Sequence, residues 1–135
     1  GQPAPPEGSK LTLKLPVVNT RSAQIWLLVV GVESAKRVNK TWVVKRGVYE
    51  LGVVGWIFFP RPPSGFVEFQ VAGESGVLAS LKKRLTRSSY PYARFNESLG
   101  TVPLKGEVTL RVYGSFYGEE KRLLWEVRLR GDENG

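Results

Sequence analysis

The stretch "AQIWLLVVGV" (residues 23–32) decides the fold class. It is rich in β-branched residues and apolar on both faces of any strand it forms. Its apolar run, Ile25 to Val32, is eight residues long. That is far short of the ~20 apolar residues that span a bilayer as a helix. A second segment, Val53 to Phe59, has the same character. A strand that packs one face on a core and shows the other to water alternates apolar with polar residues. These two segments do not, so each needs a second cover. A helix over residues 75–88, the far wall of a closed barrel, or another subunit can supply it.

Outward from these segments the chain reads as strands. Leu11, Leu13 and Leu15 alternate with Thr12 and Lys14, and the run ends near Pro16, which cannot donate to a ladder. "NKTWVVKRGVYELGVVGWIFF" (39–59) reads as two or three strands with turn chemistry at Arg46-Gly47. "PRPPSG" (60–65) is a rigid loop, and "FVEFQVAG" (66–73) alternates again. "GEVTLRVYGSF" and "KRLLWEVRLR" are two late strands, joined by a hairpin connection at "YGEEK". Residues 75–88 are the exception. Val77, Leu78, Leu81 and Leu85 recur at helical spacing, Ser75 suits an N-cap, and Lys82, Lys83, Arg84 and Arg87 suit a C-terminal half. On this reading "GESG" (73–76) is a turn before a helix. Seven or eight short strands with frequent Gly and Pro turns predict a mainly β, antiparallel β-sandwich, Ig-like or jelly-roll-like, with one short helix. A barrel is the second architecture. The domain plan is a Pro-rich extension at 1–9, one domain at 10–130 and a tail at 131–135.

The composition removes most catalytic equipment. The chain of 135 residues has no His, no Cys and no Met. The commonest neutral-pH base, the commonest zinc ligand and the thiol nucleophile are therefore missing. Asp132 is the only Asp, and Glu68, Glu107 and Glu126 sit among apolar residues where a Glu faces solvent. No phosphate-cradling loop is present. No catalytic residue, metal ligand or cofactor-binding residue is expected, and the chain reads as a non-enzyme. Few Asn and Gln beside many charges suggest a thermophilic source.

The net charge is +8. Between Glu74 and Glu97 every charge is positive, with Tyr90, Tyr92 and Phe95 interleaved. Lys82, Lys83, Arg84, Arg87, Tyr90, Tyr92 and Arg94 are thus candidate contacts for a nucleic acid, by phosphate pairing and base stacking. This nucleic-acid module, cytoplasmic in location, is the alternative reading. Two glycosylation triplets, at Asn39 and Asn96 in predicted loop or loop-edge positions, point instead to an extracellular or cell-surface protein.

The other end of the chain supports that second direction. It starts at Gly1, places Pro3, Pro5 and Pro6 within six residues, and then gives the amphipathic run 11–15. A processed start, a Pro-rich spacer and a strand resemble the surface-filament subunits that use donor-strand complementation. In that family a β-sandwich subunit lends its N-terminal strand to its neighbour's groove. The chain differs from pilins built on a long N-terminal hydrophobic helix. The resemblance implies a structural, self-assembling subunit (a homo-oligomer or filament), with Leu11, Leu13, Leu15 and Val17 at the subunit interface.

Overall fold

The computed structural model describes residues 12–14, 18–19, 23–32 and 34–133. The chain is mainly β, in two packed sheets. The first sheet holds β3 (Gln24–Val30), β6 (Gly47–Phe58) and β9 (Tyr92–Leu104) in that order, with β1 (Thr12–Lys14) and β2 (Val18–Asn19) both on the free side of β3. The second runs β4 (Ala35–Val38), β5 (Thr41–Lys45), β11 (Arg122–Asp132), β10 (Gly106–Ser115), β7 (Phe66–Gly73), β8 (Gly76–Arg84). Every pairing is antiparallel except β5 with β11.

One corner joins the sheets. The chain passes from β5 to β6 at Arg46 and from β9 to β10 at Lys105. These passages are neighbours, because Gly47 pairs with Leu104 while Gly106 pairs with Gly131. Arg46 N–H donates to the Asp132 carbonyl at 2.9 Å. Gly131 permits the closeness: a Cβ there would lie 1.9 Å from the Leu104 carbonyl oxygen. The last strand therefore runs through Gly131 and Asp132, where the sequence suggests a tail.

Alternation drives the main core. Ile25, Leu27 and Val29 of β3 and Leu51, Val53 and Ile57 of β6 meet Val67, Phe69 and Val71 of β7 and Val108, Leu110 and Val112 of β10. Each such side chain contributes about 1.5–3 kcal/mol by leaving water. Edge-to-face ring pairs, Phe59–Phe116 at 4.9 Å and Phe69–Phe95 at 5.3 Å, fill the centre.

The helix expected over 75–88 is a strand. Gly76–Arg84 forms β8, antiparallel to β7, and the only helical turn is the 3-10 turn Arg87–Ser89 among the described residues. Val77, Leu81 and Leu85 are spaced by four, which is also a multiple of two. The same spacing satisfies a strand once Ala79 and Lys83 fill the gaps. Leu78, out of phase for a strand, is the extra residue of a bulge: Val71 pairs with Ala79 and Ala72 with Val77. The "GESG" turn closes a hairpin, with Gly73 opposite Gly76, and Gly76 takes φ +135.

Candidate interaction surface on the five-stranded sheet

The two strands that are apolar on both faces are neighbours in one sheet. The β3–β6 register sets Trp26 opposite Trp56 and Leu28 opposite Val54. Alternation turns these four away from the main core. They form a second cluster in which Trp26, Leu28 and Val54 are only 2%, 3% and 5% exposed, with Val30 and Trp56 packed on it. Among the described residues, this cluster draws its members from β3 and β6 alone. Water is excluded here, on the side of the sheet that faces away from its partner sheet.

A row of rings continues the cluster toward β9. Trp26 and Trp56 stack at 6.1 Å, Trp56 meets the edge of Tyr92 at 5.7 Å, and Phe58 lies 5.4 Å from Tyr92. The Arg94 guanidinium sits 5.9 Å from the Tyr92 ring. The row runs from buried Trp26, through half-buried Trp56 and Phe58, to Tyr92 at 44% exposure. Gly55 makes the tight β3–β6 approach possible: it takes φ +148, and a Cβ there would stand 2.1 Å from the Trp26 carbonyl oxygen.

The outer face of the other sheet is of a different kind. Arg111 and Arg128 both pair with Glu126, at 3.0 and 3.4 Å, and Lys121 pairs with Glu68 at 3.3 Å. Ser80 adds a hydrogen bond to Glu68 at 3.1 Å. That face is polar, solvated and internally neutralised.

The N-terminal strand expected to serve a neighbour pairs, in the single chain, with its own sheet. Thr12, Leu13 and Lys14 stand opposite Val30, Val29 and Leu28, and Val18 and Asn19 stand opposite Ile25 and Gln24. Leu11, Leu15 and Val17 lie outside the described residues.

The basic and aromatic residues singled out in 82–94 do not share one surface. Lys82 faces outward from the six-stranded sheet, with its ammonium 3.9 Å over the Phe66 ring. Lys83 points inward and pairs with Glu97 of β9 at 2.9 Å, tying the edge of one sheet to the edge of the other. Arg84 ends β8, Arg87 lies in the 3-10 turn, and Tyr90 follows it. Tyr92 and Arg94 belong to the outer face of the five-stranded sheet. Of the glycosylation triplets, Asn39 sits in the exposed β4–β5 turn with φ 57, while Asn96 is exposed within strand β9 and not in a loop.

One carboxylate is held by the backbone. Glu119 accepts the Phe116 and Tyr117 N–H groups at 2.7 and 2.8 Å, and Ser115 Oγ donates to the Glu119 carbonyl. Burial pushes the Glu119 carboxyl up, but the backbone donors and the Arg122 charge outweigh it and hold it below its usual range. The group staples the β10–β11 loop. Among the described residues, no three metal-ligating side chains come together, and no helix is long and apolar enough to cross a membrane.

Comparison with protein-family models, curated proteins and solved structures finds no match to the chain.

Proposed function

We propose that this protein is a non-enzymatic assembly subunit of the antiparallel β-sandwich class, which joins copies of itself by exchanging its N-terminal strand at a cell surface. The observation that carries the reading is the attachment of that strand. It holds β3 through two short pairings, of three and two residues, at the free side of the sheet. Pro16 falls between them and can donate no ladder hydrogen bond. The β3 edge that accepts these residues in one chain can accept the same residues, in the same register, from another. Burial of Leu11, Leu13, Leu15 and Val17 in the exchange would contribute roughly 6–12 kcal/mol gross, at ~1.5–3 each, before ordering costs. The missing His and Cys support a non-catalytic role, and the exposed sequon at Asn39 supports the surface location.

Deletion of residues 1–18 tests this reading. The shortened chain should stay monomeric at concentrations where the full chain associates. A free peptide of residues 10–18 should raise its melting temperature in proportion to the logarithm of peptide concentration. A shortened chain that associates as the full chain does would overturn the reading.

A further inference from the structure

The ring row on the outer face of the five-stranded sheet has a chemistry of its own, whichever copy supplies the strand beside it. We propose that Trp26, Trp56, Phe58 and Tyr92 form a docking site for a polyproline segment, and that its occupant is the Pro3–Pro6 stretch of the chain whose β1 pairs with that sheet.

Three observations converge on this occupant. The first is burial without a described cover. Trp26, Leu28 and Val54 are almost free of water, yet among the described residues the cluster holds only β3 and β6 side chains. The second is chemical fit. Pro-rich segments dock on aromatic-lined surfaces, because their backbone is already extended and little entropy is lost on binding. The stretch "QPAPPEG" (2–8) places three prolines and an alanine together. The row offers two indoles, a phenyl and a phenol, and the phenol and indole N–H can donate to prolyl carbonyls that have no N–H partner of their own.

The third is reach. Thr12 stands opposite Val30, at the far end of β3 from Gln24. Trp26 lies four positions back along β3 from Val30, about 13 Å at ~3.3 Å per residue. Pro6 precedes Thr12 by six positions, about 20 Å of extended chain. Gly8 and Ser9 fall between them and suit the reversal that returns the segment over the sheet. The pairing of β1 with β3 therefore tethers Pro3–Pro6 within range of the rings and raises its effective concentration there.

The absence of Cys gives a clean test on the full chain. Gln2→Cys creates a single thiol for a nitroxide label, and the indole N–H signals of the four tryptophans are read by NMR. Docking predicts that the label broadens Trp26 and Trp56 more than Trp42 of β5 and Trp125 of the core. Pro3→Ser/Pro5→Ser/Pro6→Ser in the same labelled chain should restore those two signals, with Trp125 unmoved as the control on the fold. Trp26 and Trp56 broadened no more than Trp42 would overturn the proposal, as would broadening that survives the triple substitution. A second sample mixes labelled chain at natural isotope abundance with unlabelled, isotope-enriched chain. Broadening in that mixture shows docking between copies. Broadening confined to the singly labelled chain shows docking within one copy and leaves the polyproline site standing while the assembly reading fails.

Discussion

At the residue scale, two positions carry more of the structure than their size suggests. Gly55 lets β3 and β6 approach beneath the tryptophan pair, in a backbone conformation that side chains rarely adopt. Gly55→Ala should destabilise the chain by at least about 2 kcal/mol, from backbone strain and the close approach to the Trp26 carbonyl. Urea unfolding with an unchanged slope and a lowered midpoint would show it. Glu119 works through its charge. Its folded carboxyl lies below the unfolded value, so the unfolded chain binds its proton first as pH falls. The stability it contributes is therefore present above the ordinary carboxyl range and is lost as pH falls through the folded value. Glu119→Gln should lower stability at neutral pH by about 1–2 kcal/mol through weaker acceptance from the two N–H groups. It should also flatten the acid limb of the stability–pH curve. An acid limb as steep as in the parent chain would count against this role.

At the element scale, β8 shows where local pattern ends and tertiary context begins. As an edge strand it leaves Val77 and Leu78 exposed, at 58% and 46%. It also carries an inward Lys83 and a bulge, both of which discourage pairing with other chains. Glu97 is the sheltered partner, its side chain 13% exposed. Lys83→Ala should cost about 1–2 kcal/mol by leaving that carboxylate poorly solvated and unpaired, less than a fully buried pair because Lys83 is half exposed. The charge swap Lys83→Glu/Glu97→Lys should recover most of the loss in a thermal melt, whereas a mere packing role for Lys83 would not be rescued. Strands β3, β6, β7, β10 and β11 are legible in the sequence because their apolar residues are continuous or strictly alternate. β8 is not, because a spacing of four fits both helix and strand, and the choice falls to the Glu74-Ser75 turn and the pairing with β7. Strand β9 is equally hidden, since Asn96, Gly100 and Pro103 interrupt it and its place comes from β6. That two strands need a second cover is plain from composition. That their outward residues form one row of rings is not, because it depends on the register of Trp26 with Trp56 and of Phe58 with Tyr92.

At the scale of the whole molecule, the two outer faces divide the work. The six-stranded sheet neutralises itself with ion pairs and meets water. The five-stranded sheet turns an apolar, aromatic surface outward and takes the N-terminal strand along its free side. A chain that binds its own first strand weakly, at an edge, can give that strand to another copy with no change of register. The central claim is that it does so. Sedimentation velocity of the full chain over a wide concentration range tests it most directly. The account predicts species heavier than the 15.1 kDa chain that grow with concentration and fall back when free peptide of residues 10–18 is added in excess. A single 15.1 kDa species at every concentration, untouched by the peptide, would contradict it.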